Sequence, residues 1–241
     1  MKIRIIISYY STRSPNELRR LLQQLVAYRD QICVVVNQDS DSVLHELALG
    51  VQVLSNPNQG MNIGAWNRGF LENPDSDLYV FLQDECFLKR DGFIQAATER
   101  FESDVRLGML GETINWRWAY PWPVLLGSGL NQITAEHFVD GGPAGRVACY
   151  LSTMKNWGVD PGHSAEHLRS LVWFFPGTML RLLGGFPVGA NRGECVAAEI
   201  AVSRKIVSLG YRFDQICEPP FSFFGHSEWR SDGLSKLPDT G

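Results

Sequence analysis

The chain has 241 residues, 44% of them hydrophobic and 20% charged, and its 22 Lys and Arg against 26 Asp and Glu give a net charge of −4. That length allows one large α/β domain with a full core, read here as a single unit over 1–241, and the charge balance excludes the basic stripe by which nucleic-acid binders work. A phosphorylated ligand would therefore need local arginine or lysine side chains, or a bound metal.

In chain order, residues 3–8 (Ile-Arg-Ile-Ile-Ile-Ser) form a β-branched run suited to a strand buried on both faces. Ser14-Pro15-Asn16-Glu17 combines an N-cap, a first-turn proline and a capping-box glutamate. Leu18, Leu21, Leu22, Leu25 and Val26 then continue one helical face. A second strand is expected over 32–37, ending in Asn37-Gln38-Asp39-Ser40-Asp41, then a short helix to about Leu49 and a strand over 51–54. A helix from about Gly60 to Leu71 and a strand over 78–82 complete three βα repeats, the rhythm of a parallel, doubly wound sheet. A helix over 91–101 and a strand over 107–111 follow. Residues 112–170, rich in Gly, Pro and aromatics and holding three of the five histidines, lose that rhythm and are read as an irregular insertion capping the sheet. Regularity returns with a strand over 171–175, the turn Pro176-Gly177, the loop 184–193, a helix from about Glu194 to Leu209 and a last strand over 211–217.

Five cysteines (Cys33, Cys86, Cys149, Cys195, Cys217) lack any CxxC spacing and read as reduced packing residues. The opening Met1-Lys2-Ile3-Arg4 carries no apolar signal core, and no run approaches the roughly 18 apolar residues of a spanning helix. The expectation is a cytoplasmic protein; peripheral membrane contact and a homodimer are both compatible with it.

Several constellations carry chemistry. Gln83-Asp84-Glu85 closes a buried strand, and crowded carboxylates there call for a cation or hydrogen bonds. Hard oxygen ligands suit Mg²⁺ or Mn²⁺ completed by substrate phosphates; a solvated turn is the plain alternative. Glu199 lies between Ala198 and Ile200 in an apolar turn, the setting of a general base, or else it faces solvent opposite Ser203. Glu194 is either a site residue or a first-turn carboxylate favoured by the helix dipole. His226, in Ser222-Phe223-Phe224-Gly225-His226, is either a satisfied core histidine or a third metal ligand. The pair His163 and His167, at i and i+4, has no further anchors and is not read as a zinc site. Trp116, Trp118, Tyr120 and Trp122 alternate as four rings on one face of an extended segment, with Asn115 and Arg117 beside them. Such rings could pack on sugar faces or form a core or dimer patch. Asn37 and Asp39 sit where a nucleotide-binding half reads base or ribose, or they cap a helix.

In this order and spacing, these residues resemble the family 2 glycosyltransferases, inverting enzymes of the GT-A fold that use nucleotide-diphospho-sugars. The likeness covers 3–111 and 172–229. The strand ending at Ser8 resembles the family's opening strand, and Asn37-Gln38-Asp39 its base-reading turn. Asn58-Gln59-Gly60 with Asn67-Arg68-Gly69 resembles the glycine-asparagine pair ahead of the metal motif. Gln83-Asp84-Glu85 stands where that family has Asp-x-Asp, Gly184-Gly185-Phe186 matches its GGF turn, and Ala198-Glu199 takes the place of its Glu-Asp. Asn37, Gln83 and Glu199 depart from the usual residues.

The resemblance implies a mostly parallel α/β sheet flanked by helices, split into a donor part (1–111), the insertion (112–170) and an acceptor part (171–241). It implies a metal-assisted transfer of a hexosyl group from a nucleotide-diphospho-sugar to the hydroxyl of a glycan or lipid-linked acceptor, as in polysaccharide synthesis. Glu199 would be the base, Glu85 and His226 the ligands of Mg²⁺ or Mn²⁺. Ser8, Asn37, Asp39, Asn58, Gly60, Asn67, Asp84 and Arg192 would hold the donor, and Trp116, Trp118, Trp122 and Glu194 the acceptor. The competing readings are an inactive glycan- or nucleotide-binding protein on that fold, a sugar-nucleotide-forming nucleotidyltransferase, which would want a Gly-rich loop where Tyr9-Tyr10-Ser11 stands, and a dinucleotide oxidoreductase, which would want a GxGxxG after a strand.

Overall fold

A computed structural model of the protein describes residues 1–37, 50–132 and 145–229; Asp39 and the expected helix ending near Leu49 lie outside them. The strands are β1 (Ile3–Tyr10), β2 (Ile32–Asn37), β3 (Gln52–Asn56), β4 (Leu78–Gln83), β5 (Cys86–Leu88), β6 (Leu107–Gly111), β7 (Val172–Pro176), β8 (Arg212–Gln215) and β9 (Phe224–His226). The helices are α1 (Asn16–Gln24), α2 (Met61–Glu72), α3 (Phe93–Ser103), α4 (Trp122–Leu126), α5 (Arg146–Asn156), α6 (Gly177–Leu183) and α7 (Arg192–Ser208).

Seven strands form one sheet in the order β3-β2-β1-β4-β7-β6-β8. All neighbours run parallel except β7, which is antiparallel to both β4 and β6. The β-branched and aromatic runs explain the burial: alternate residues of each strand meet a helix layer on one face or the other. Ile5 and Ile7 of β1 join Leu18, Leu21 and Phe93 on one side. Ile6 joins Trp66, Phe70, Leu180 and Ile206 on the other. The Trp66 indole also donates to Leu82 O at 3.0 Å, pinning α2 under the end of β4.

Two glycines are required by close approach. A Cβ on Gly64 would sit 1.8 Å from Gln59 O, and one on Gly185, at φ +93°, would sit 2.4 Å from Asn67 Oδ1. The small-residue entry of α2 and the GGF turn are thus conditions for packing α2 against the loop before α7.

Some elements differ from expectation. The first helix stops at Gln24 and gives way to a 3-10 turn, Val26–Gln31. Residues 177–183 form a helix directly after β7, because Pro176 at the boundary is followed by a good apolar helical face. A separate pair, β5 with β9, sets Cys86 opposite His226; at three residues each, these strands carry no readable period. The expectation of four rings on an extended strand fails: Trp116–Trp118 is a 3-10 turn and Trp122 opens α4. Trp118 and Trp122 are 7% and 6% exposed. They pack with Leu125, Tyr150, Ala197 and Ala201, so they are core residues between α5 and α7. Residues 163 to 167 are not helical, so His163 and His167 do not share a helix face. Among the described residues no disulfide forms and four of the five cysteines are buried. No helix among them is long and apolar enough to cross a membrane.

Candidate functional site

The carboxyl ends of β1, β2, β4 and β6 point to one edge of the sheet, and antiparallel β7 begins there. Along that edge Asn37 and Gln83 end their strands, Ser8 of β1 pairs with Gln83, Glu112 follows β6, and Ser170 precedes β7. Such an edge is where open α/β sheets hold ligands.

Its centre is a chain of contacts through Ser170. The Ser170 amide donates to Glu199 Oε1 at 2.5 Å, while its carbonyl accepts from Gln83 Nε2 at 2.6 Å. The other end of the Gln83 carboxamide meets His226 Nε2 at 3.2 Å. His226 Nε2 in turn lies 3.8 Å from Glu85 Oε2. Glu199 and Glu85, more than a hundred residues apart in sequence, are therefore joined by one run of contacts.

The tautomers follow from the donors. His226 Nδ1 accepts from the Glu228 amide at 3.1 Å, so the neutral ring carries its proton on Nε2 and donates it to Gln83 Oε1. The nitrogen that faces Glu85 is then a donor and not a lone pair for a metal. His167 is arranged the other way: Nδ1 lies 2.6 Å from Ala165 O and so bears the proton, while Nε2 accepts from Asn115 Nδ2 at 3.2 Å. That Nε2 is 3.9 Å from Glu199 Oε1, and burial lowers the His167 pKa, keeping the ring neutral.

The acidic corner carries raised pKa values. Asp84 is pushed up to about 6, chiefly by burial, with the Arg13 guanidinium opposing. Its Oδ1 is buried and lacks a hydrogen-bond partner. Glu85 is pushed up to about 7 by burial and by the neighbouring charge of Asp84, with a hydrogen bond to Glu228 adding to the shift. Arg13 Nη1 forms an ion pair with Glu85 Oε1 and stacks over Tyr10. Among the described residues no group of three or more His, Cys, Asp and Glu is arranged around a metal position. The donor set that fits a divalent cation is Asp84 with Glu85: two carboxylates, one with an orphaned buried oxygen, as Mg²⁺ accepts when phosphates and water complete its shell.

The remaining expected residues divide clearly. Ser8 Oγ donates to Asn62 Oδ1 at 2.9 Å. Asn37 Oδ1 accepts from Asn56 Nδ2 at 2.6 Å, tying the ends of β2 and β3. Asn67 Oδ1 accepts from Phe186 N at 2.8 Å and so holds the GGF turn. Asn191 caps α7, its Oδ1 accepting from Glu194 N at 2.9 Å, and the Glu194 carboxylate accepts in turn from Ala190 N at 2.7 Å and from Asn191 Nδ2 at 3.1 Å. Asn58 and Gly60 both adopt positive φ at the entry to α2. Arg192, at the first position of α7, is exposed, as is Trp116.

Three residues were missed by sequence reasoning. Arg13 is three residues past the end of β1 and has no partner visible in sequence. Ser170 contributes only backbone. Glu112, like Gln83, immediately follows a buried strand, and that position was its readable signal. Its carboxylate accepts the amides of Ser222 at 2.7 Å, Phe223 at 3.0 Å and Phe224 at 2.9 Å, and so anchors the segment leading into β9.

Comparison with solved structures gives the architecture its family of folds. A mannosyltransferase from Pyrobaculum calidifontis in complex with GDP-mannose and Mn²⁺ superposes with a TM-score of 0.54 at 14% identity, over 100% of this chain and 58% of that one. The chain has a GT-A fold. Glucosyl-3-phosphoglycerate synthase from Mycobacterium tuberculosis, in complex with Mn²⁺, UDP-glucose and phosphoglyceric acid, superposes with a TM-score of 0.50 at 12% identity, over 96% of this chain and 73% of that one. Thus the GT-A unit described here spans less than two thirds of the mannosyltransferase's length. No protein-family model and no curated protein matches the sequence.

Proposed function

We propose that the protein is an inverting glycosyltransferase that moves a hexosyl group from a nucleotide-diphospho-sugar to an acceptor hydroxyl. The reading is carried by the run of contacts from Glu199 through Ser170, Gln83 and His226 to Glu85 at the ligand-binding edge of a GT-A sheet. In this reading Glu199 serves the acceptor side of the reacting centre, and Asp84 with Glu85 the donor side.

Glu199 is the general base. Ser170 N–H fixes Oε1, which aims Oε2 at the acceptor hydroxyl and leaves it to take the proton as attack proceeds. Neutral His167, held by Asn115 and Ala165, walls that carboxylate without supplying a competing charge. Asp84 and Glu85 would hold a divalent cation, which would supply positive charge against that gathering on the leaving nucleoside diphosphate. Arg13 shares Glu85 with it and adds a fixed positive charge on the donor side. Ser8, Asn37, Asn58 and Gly60 form the rim for the nucleoside, Arg192 meets the diphosphate, and exposed Trp116 offers its face to the acceptor.

Glu199→Gln tests the assignment. Its amide still accepts from Ser170 N–H but takes no proton. Transfer, or slow donor hydrolysis, falls by about 100-fold or more, while calorimetric affinity for the donor stays within about twofold. Turnover kept within about tenfold, roughly 1.4 kcal/mol, would show that another group is the base.

A further inference from the structure

Beside Glu199 stands a cation without an anion. Arg169 is only 7% exposed. Its backbone is fixed on both sides, N donating to Thr113 O at 3.0 Å and O accepting from Leu171 N at 2.8 Å. Its guanidinium lies 4.1 Å above the Trp229 ring, and its Nε is buried with no hydrogen-bond partner. Among the described residues no carboxylate comes within ion-pair distance of it. Apart from Asp84, the acids at this edge are engaged: Glu85 by Arg13, Glu112 by three amides, Glu199 by Ser170 N–H. Burying a guanidinium against an aromatic face alone is costly, and the cation–π contact offsets only part of that.

Its surroundings indicate what it waits for. Glu199 is near enough to favour the charged form, and Arg117 near enough to oppose it. Glu199 itself is already held by the Ser170 backbone amide. Arg169 is also the residue before Ser170, whose amide holds Glu199. A planar fork of N–H donors matches phosphate or carboxylate oxygens in pairs.

We propose that Arg169 is the binding residue for an oxyanion of the substrate, a phosphate or carboxylate that pairs with the guanidinium held over Trp229. Assigning that oxyanion to a substrate of transfer rests on the function proposed above; the anion site itself does not. Two sources share the chemistry, the diphosphate of the donor and an anionic group on the acceptor.

The test compares wild type with Arg169→Met and Arg169→Lys, using inorganic phosphate, pyrophosphate, UDP and GDP as probes in calorimetry and thermal melting. Wild type should bind phosphate or pyrophosphate, and Arg169→Met should weaken that binding by about tenfold or more. Without anion, Arg169→Met should melt at the wild-type temperature or above, since it removes a buried unpaired charge; a purely structural arginine would lower it. Arg169→Lys, which keeps the charge and loses the fork, should show an intermediate affinity, and it decides the matter if the methionine variant does not fold. A loss confined to phosphate, with UDP and GDP unaffected, assigns the anion to the acceptor; a parallel loss for UDP or GDP assigns it to the donor. Wild type that binds neither phosphate nor pyrophosphate, or variants that bind them as wild type does, would overturn the proposal. Because no probe needs turnover, failure of the base assignment at Glu199 would leave these results standing, and the reverse holds as well.

Discussion

Gln83 and His226, 143 residues apart, meet through an Nε2–H···Oε1 hydrogen bond of 3.2 Å. The amide at position 83 is what makes this possible. One end of Gln83 accepts from the imidazole while the other donates to Ser170 O at 2.6 Å. A carboxylate there has no N–H to give, so the departure from an acid at this position has a mechanical reason.

Removing that link should therefore be felt in stability. Gln83→Ala leaves the Ser170 carbonyl and the His226 N–H without their partner, at about 1–3 kcal/mol for each buried group. At about 2–4 °C per kcal/mol for a domain of this size, melting should fall by several degrees. Gln83→Glu should also lower it, because the carboxylate faces the Ser170 carbonyl oxygen. Thermal melting of both variants checks this, and a glutamate variant as stable as wild type would contradict the assigned orientation of the amide.

Divalent cations should bind more tightly as pH rises. Asp84 and Glu85, pushed up to about 6 and about 7, must shed protons to act as ligands. Affinity for Mn²⁺ or Mg²⁺ by calorimetry should increase between pH 5.5 and 7.5 and level off above. Arg13→Gln should strengthen it further at pH 7.5, since Glu85 loses its competing partner. The Arg13 side chain is 44% exposed, so stability should change by no more than about 1 kcal/mol.

Glu112 gives stability the opposite dependence on pH. Burial pushes its carboxyl up to about 7 from an ordinary 4.5, despite three amide donors. Between those values the folded protein holds a proton that the unfolded chain has released, so stability falls as pH rises through that window. Asp84 and Glu85 act in the same direction. Melting temperature should decline from about pH 5 to 7.5, and the decline should be shallower in Glu112→Gln, whose side chain does not titrate. An equal slope in the variant would remove Glu112 as a source.

The aromatic segment separates into two kinds of residue. Trp118→Ala and Trp122→Ala open cavities in the cluster between α5 and α7 and should each cost about 3–5 kcal/mol. Trp116, 46% exposed, should tolerate alanine with a change near 0.5 kcal/mol while the KM for acceptor rises. Equal destabilisation by all three would mean that Trp116 also packs in the core.

The sequence alone determined the βα rhythm, because β-branched runs buried on both faces and one-sided helices are local patterns with fixed periods. It marked the acids at 84 and 85 past a strand and the acid at 199 within a helix for the same reason: strand ends and helical turns are countable. Tertiary structure decided which of those acids meet and what holds them. The three-residue pair β5 and β9 brings His226 to Glu85, the backbone of Ser170 joins Glu199 to Gln83, and Arg13 reaches Glu85 across 72 residues. It also turned the tryptophans inward, since a 3-10 turn replaces the alternation that an extended segment would give. Contacts of this kind depend on backbone groups and on distances between remote residues, and no periodicity along the chain encodes them.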